Sequence, residues 1–273
     1  MIVFPNAKIN IGLQVVSKRP DGYHDLASVF YPVPLKDSLE FIPSKQKGLN
    51  LITDTNLELG KNDDNLITKA YNLLAKSHTL PDLDCHLIKA IPMGAGLGGG
   101  SSDATFALCA INKIASLNIS KNKLKDLALE LGSDCSFFID NVPSLANGRG
   151  EILTPLPSFL ARKFVVIVSP KLHISTHQAF NGITPSSKNF DLTQIAQTPQ
   201  ESWRENIVND FEANAFRLHP ELDRIKSTLH ELGAFYASMT GTGSSIYGLF
   251  NEAPYGQMLR LGIGEHPLVI LEL

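Results

Sequence analysis

Apolar and polar residues partly alternate along 7–16 (AKINIGLQVV), the spacing of a strand with one buried face. Strand-like runs recur at 28–34, 38–43 and 49–53, and again at 84–91 (DCHLIKAI). Between them the period lengthens to that of a helix. Leu66, Ala70, Leu73 and Leu74 form an apolar stripe, and Asp63-Asp64-Asn65 precedes it as an N-cap. Ala107, Leu108, Ile111, Ile114 and Ala115 predict a second helix. Leu124, Leu127, Ala128 and Leu131 predict a third over 121–131, with Gly132 as its C′ stop. Further on, 164–168 (FVVIV) is a buried strand, a helix begins near Ser175 or Thr176, and 184–190 is a polar loop. Pro220 opens a helix through Leu222, Ile225, Leu229 and Leu232 that Gly233 ends. Residues 234–239 and 245–250 flank Thr240-Gly241-Thr242-Gly243-Ser244 as strand–turn–strand, and 268–272 is a last strand. Strand and helix mix without a regular βαβ alternation, which predicts an α+β fold. The Pro-punctuated stretch 154–163 (TPLPSFLARK) follows the Asn147-Gly148-Arg149-Gly150 turn. It predicts two domains, 1–155 and 156–273.

Composition narrows the function classes. The 43% hydrophobic and 19% charged fractions are those of a chain with a sizeable core. A formal net charge of −3 offers no electrostatic footprint for nucleic acid or an anionic membrane. The three cysteines, Cys85, Cys109 and Cys135, lie far apart without a CxxC, as in a reducing compartment without a disulfide framework or zinc ribbon. No apolar run approaches the ~18–20 residues of a membrane span. Met1 to Asn6 lacks a basic n-region and a long apolar h-region. The expectation is a cytoplasmic protein without nucleic-acid or membrane partners.

One segment departs from ordinary patterning. Gly94-Ala95-Gly96-Leu97-Gly98-Gly99-Gly100 holds five glycines in seven residues, between a predicted strand and a predicted helix. Each glycine inside regular structure costs ~0.5–1 kcal/mol relative to alanine. Such a run therefore implies positive φ values, or a group pressed against the backbone. At a helix N-terminus it exposes free N–H groups and the positive end of the helix dipole, a site for phosphate, with Ser101 and Ser102 as further donors or metal contacts. Gly94-x-Gly96-x-x-Gly99 formally satisfies the dinucleotide-binding pattern of an oxidoreductase. That reading needs an acidic ribose partner ~20 residues on, and 114–121 (IASLNISK) has none. The Gly-Lys-Ser/Thr of a Walker loop and the motifs of protein kinases are absent as well.

Pro92-Met93-Gly94-Ala95-Gly96-Leu97-Gly98-Gly99-Gly100-Ser101-Ser102 resembles the central motif of the GHMP kinases, small-molecule kinases acting on alcohols and phosphates. Pro5-Asn6-Ala7-Lys8-Ile9-Asn10-Ile11 is similar to that family's first motif, and Ser238-Met239-Thr240-Gly241-Thr242-Gly243-Ser244-Ser245 to its third. The resemblance covers nearly the whole chain. It implies a GHMP kinase fold: an N-terminal ATP-binding domain like the second domain of ribosomal protein S5, and a ferredoxin-like C-terminal domain. Within the family, Arg19-Pro20-Asp21-Gly22-Tyr23-His24 and Gly132-Ser133-Asp134 resemble members of the non-mevalonate isoprenoid pathway. These phosphorylate the 2-hydroxyl of a cytidine diphosphate-linked methylerythritol with ATP and Mg²⁺.

The resemblance also implies roles. Asp134 accepts the proton of the acceptor hydroxyl, and Lys8 offsets charge developing on the transferred group. Cys135-Ser136-Phe137 after Asp134 departs from the family's usual pattern. Asn10, two residues from Lys8 and so on the same strand face, hydrogen-bonds substrate. The loop from Pro92 to Ser102 holds ATP, with Lys89 touching it. Tyr23 and His24 read cytosine, with Phe180 as a second stacking face. Thr240, Gly241, Thr242 and Gly243 present N–H groups near the acceptor's diphosphate. Asn209-Asp210-Phe211-Glu212 reads as helix capping. Ser101, Ser102 and Asp103 are metal candidates without a choice among them, and the chain acts as a monomer or weak homodimer. A nucleotide-binding protein without catalysis would have no use for Lys8 and Asp134.

Overall fold

The computed structural model describes residues 1–53, 64–180, 183, 185, 190–255 and 266–273. The polar loop expected at 184–190 therefore lies largely outside the described residues, as does Asp63 of the first predicted cap. The strands are β1 (Ile2–Val3), β2 (Asn6–Lys18), β3 (His24–Lys36), β4 (Ser38–Pro43) and β5 (Leu49–Thr53), then α1 (Leu66–Ala75) and β6 (Leu83–Ile88). Next come α2 (Gly99–Ile114), α3 (Lys121–Leu131), α4 (Phe137–Asp140), β7 (Ser144–Gly148), β8 (Ile152–Pro155), β9 (Phe164–Val168) and α5 (Thr176–Phe180). The chain continues with α6 (Trp203–Asn206), α7 (Glu212–Leu218), α8 (Pro220–Glu231), β10 (Tyr236–Met239), β11 (Ile246–Phe250) and β12 (Leu268–Glu272). The α+β mixture expected from the sequence is what forms.

Two compact units interleave along the chain. The first comprises Met1–Ala7, Leu35–Met93 and Gly98–Asn141. Its sheet has the order β1-β4-β6-β5, with only β5 and β6 parallel. Alternation puts Leu39, Phe41, Leu83, Cys85 and Leu87 on one face, against Ile67, Tyr71 and Leu74 of α1 and Leu108 and Ile111 of α2. Asn65 starts α1 as expected, its Oδ1 accepting from Ile67 N at 2.9 Å. Gly132 ends α3, but in an extended conformation (φ 168°) rather than the left-handed one of the expected C′ stop.

The second unit comprises Lys8–Pro34, Gly94–Leu97 and Val142–Leu273. It holds two sheets, β2-β3-β7-β8 and β10-β11-β9-β12. Leu222, Ile225 and Leu229 of α8 pack with Val166, Val168, Ala237 and Ile246 of the second of these. The turn expected at 147–150 is the bend of the antiparallel β7–β8 hairpin. Trp203 is the chain's one tryptophan. It is 1% exposed, with edge-on contacts to Phe159, Phe235 and Tyr236 at 5.8–5.9 Å. Among the described residues, no helix is long and apolar enough to cross a membrane.

Candidate active site

In the second unit, three sequence segments far apart in the chain share one hydrogen-bond network. Asn10 of β2 is 2% exposed and Lys8 3%. Their shared strand face brings the Lys8 Nζ to Asn10 Oδ1 at 2.6 Å, and the ammonium sits 4.3 Å from the Phe30 ring centre. Asn10 Nδ2 donates to Ser28 Oγ (2.9 Å), which donates to Gly12 O (2.6 Å). Thr240, in the loop after β10, accepts from Asn10 N at 3.1 Å and donates to Gly96 O at 3.0 Å. Main-chain bonds from Lys8 N to Leu97 O (2.9 Å) and from Ser245 N to Ala95 O (3.2 Å) complete the junction. The first motif, the start of the glycine loop and the third motif thus meet. Gly96 has φ +77°, and a Cβ there would lie 2.0 Å from Thr240 O, so only glycine allows this approach.

Asn209-Asp210-Phe211-Glu212 does more than cap. Asn209 Oδ1 does accept from Phe211 N at 3.0 Å, but its Nδ2 donates to Met239 O (2.8 Å) and Gly241 O (2.9 Å). Glu212 Oε1 accepts from Ser238 Oγ (2.9 Å) and Met239 N (2.8 Å), and its Oε2 from Lys226 Nζ (2.6 Å). The four-residue segment is therefore a brace under the third motif. Asn209→Ala strips two carbonyls of their donor. It is expected to destabilise the fold by about 2–4 kcal/mol, read from urea unfolding.

The expected recognition residues follow a tight turn. Gly22 N donates to Arg19 O (3.1 Å) and Arg19 N to Tyr23 O (2.8 Å). Tyr23 is left 58% exposed, with the Arg149 guanidinium 5.2 Å from its ring centre. His24 stacks on Phe180 at 4.8 Å with 20° between the planes, and Phe180 meets Phe211 edge-on at 4.8 Å. Phe180 is thus beside the turn that carries Tyr23 and His24, paired with His24.

In the first unit, Gly98 (φ +70°) begins α2 without a side-chain cap. The first intrahelical bond runs from Ser102 N to Gly98 O, so the N–H groups of Gly99, Gly100 and Ser101 precede it. Of the remaining loop residues, Met93 is exposed and Pro92 half-buried. Asp134 is half-buried in the turn between α3 and α4. Thr105 Oγ1 lies 2.8 Å from Ser101 O and 2.9 Å from Cys135 O, tying the opening of α2 to that turn. Burial pushes the Cys135 thiol up to about 11, so it is neutral near pH 7 and no nucleophile. Lys89, expected at the nucleotide, holds its ammonium against Asp37 and, at 2.8 Å, Asp103 Oδ2.

Among the described residues, no group of three or more His, Cys, Asp or Glu side chains could hold a metal. Mg²⁺ in phosphoryl transfer is carried largely by substrate phosphates and water, with one or two protein oxygens. Ser102 Oγ fits that need: it is a buried hydroxyl in the first turn of α2 without a hydrogen-bond partner.

The chain is similar to known proteins along most of its length. The family models for the GHMP kinases N terminal domain and the GHMP kinases C terminal region match residues 65–148 and 189–259. A 4-diphosphocytidyl-2-C-methyl-D-erythritol kinase of Bacteroides thetaiotaomicron is 47% identical over 253 residues, 92% of each chain. The protein of that name from Parabacteroides distasonis is 45% identical over 253 residues, again 92% of each chain. A crystal structure of 4-(cytidine 5'-diphospho)-2C-methyl-D-erythritol kinase superposes with a TM-score of 0.84 at 29% identity, covering 99% of this chain and 98% of that one. The mevalonate kinase of Methanococcus jannaschii reaches 0.74 at 15% identity, covering 100% and 98%, a likeness of fold alone.

Proposed function

The chain belongs to the GHMP kinase family, and on that premise we propose that it transfers the γ-phosphoryl group of ATP to the 2-hydroxyl of 4-diphosphocytidyl-2-C-methyl-D-erythritol. The acceptor follows from relatives at 45–47% identity along nearly the full chain. The structural observation that carries the chemistry is the Thr105 bridge between the open first turn of α2 and the turn bearing Asp134. It holds an anion-binding helix end and a carboxylate in one rigid piece.

The first-turn N–H groups of α2 and the glycine loop cradle the ATP phosphates. The acceptor's 2-oxygen attacks the γ-phosphorus while the bond from that phosphorus to the bridging oxygen of ADP breaks. Asp134 takes the hydroxyl proton. Lys8, oriented by Asn10, places a positive charge for the equatorial oxygens of the transferred group. Ser102 Oγ would be the protein oxygen to reach Mg²⁺ bound with ATP, and the ion would supply charge neutralisation at the phosphates. Tyr23 stacks on the cytosine, and His24 hydrogen-bonds its edge. The third-motif N–H groups face the acceptor's diphosphate.

The test is direct. Incubation with ATP, Mg²⁺ and the diphosphocytidyl acceptor should release ADP and form the 2-phosphate. No turnover there, with activity on homoserine or mevalonate, overturns the acceptor. A thermal shift produced by NAD⁺ and not by ATP would overturn the kinase reading itself. Tyr23→Ala removes a stacking contribution of ~1–3 kcal/mol. It is expected to raise KM for the acceptor by roughly tenfold or more while leaving KM for ATP unchanged, measured by steady-state kinetics.

A further inference from the structure

Under the glycine loop, the first unit buries two carboxylates against one ammonium. The side chains of Asp37, Lys89 and Asp103 are 0%, 6% and 4% exposed. Asp37 comes from the β3–β4 junction, Lys89 follows β6, and Asp103 lies in α2. Asp37 Oδ1 accepts from Ala90 N at 2.6 Å and Ile91 N at 2.8 Å, the amides that lead into the loop. Its Oδ2 binds the Lys89 ammonium. That ammonium reaches Asp103 Oδ2 at 2.8 Å on the far side of the loop. A Cβ on Gly99 would lie 3.3 Å from Lys89 Nζ, so the charged head sits directly beneath the first residue of α2. Asp103 Oδ1 is buried with no hydrogen-bond partner.

An excess carboxylate with an unpartnered oxygen is a poor device for stability alone, because a lone Lys–Asp pair, or apolar side chains, would fill the space at lower desolvation cost. What the arrangement does achieve is geometric. One ammonium joins the strand exit before the loop to the helix start after it, and two main-chain amides are fixed at the entry.

We propose that Asp37, Lys89 and Asp103 form a positioning triad that sets the two ends of the glycine loop at the separation ATP requires, with Lys89 acting through the loop rather than on the nucleotide. This rests on the reading that the loop holds the ATP phosphates.

Asp103→Leu leaves Lys89 and Asp37 as a balanced pair and cuts only the tie to α2. Calorimetric titration with MgATP should then show Kd raised about tenfold at unchanged stoichiometry, and KM for the acceptor within twofold of wild type. A purely structural role would lower the bound fraction and leave Kd unmoved, which overturns the proposal. In Asp37→Asn, the cost of adding Lys89→Met should shrink below threefold. A full cost persisting in that background means Lys89 touches the nucleotide, and also overturns it. If Asp103→Leu does not fold, Asp103→Asn is titrated instead, with a threefold rise in Kd expected and no change counting against the triad. Wild type that binds ATP without phosphorylating the diphosphocytidyl acceptor would refute the assigned acceptor, yet leave these titrations valid.

Discussion

Asp134→Ala is expected to lower kcat by at least ~100-fold, the scale of one general-base or orienting contribution, with KM for ATP changed less than threefold. The turn around Asp134 is held by Cys135 N to Gly132 O and by Thr105 on Cys135 O, and neither bond uses the carboxylate. ATP binding at wild-type stoichiometry, by calorimetric titration, is the check that the variant has folded. Asp134→Asn preserves the shape and removes the proton acceptor, so it should fall with the alanine variant. Turnover of the asparagine form above a tenth of wild type would assign Asp134 to orientation. Near-normal turnover in both would remove it from the chemistry.

Gly96→Ala should be severely damaging for a single added methyl group: among the described glycines its Cβ meets the closest main-chain atom. The residue sits at φ +77°, which costs an alanine ~1–2 kcal/mol. The new carbon would meet Thr240 O at 2.0 Å, main chain that is itself fixed by the network to Asn10. Crowding of this kind adds ~1–3 kcal/mol. The sum, roughly 2–5 kcal/mol, should lower Tm on the order of 10 °C. Whatever folds should bind MgATP at least ~100-fold more weakly, because the loop can relieve the clash only by moving away from the third motif. A Tm within 2 °C of wild type, by scanning calorimetry, would contradict the close approach of these segments.

Much of this architecture was readable because single positions spoke for themselves. The runs at 38–43, 49–53, 164–168 and 268–272 match β4, β5, β9 and β12 residue for residue, since alternating or continuous Val, Ile, Leu and Phe admit little else. Asn65 before α1, and Pro220 and Gly233 around α8, mark boundaries by side-chain and backbone chemistry. The loop residues Gly94 to Gly100 and Thr240 to Gly243 stand out by violating ordinary propensity. The short helix α6 did not show, being four residues long without a side-chain N-cap, and α7, seven residues long, showed only through the capping pattern at 209–212.

The braces were silent for a different reason. Asp37 lies between two strands and reads as a turn residue. Its partners Lys89 and Ala90 are 52 and 53 positions away. Glu212 reads as a helix-start acid, although Ser238 is 26 residues on. Nothing local distinguishes a carboxylate that will be buried against a distant amide from one that will face water.

The placement of Trp203 gives the protein an internal optical reporter. As the sole indole, enclosed by Phe159, Phe235 and Tyr236, it emits from one of the two interleaved units only. Its fluorescence during denaturation follows the body carrying Lys8 and Thr240, whereas far-ultraviolet dichroism also registers the helices α1, α2 and α3 of the other. Superimposable transitions by the two signals would mean that the halves melt as a single cooperative species, and a gap between them would measure their independence.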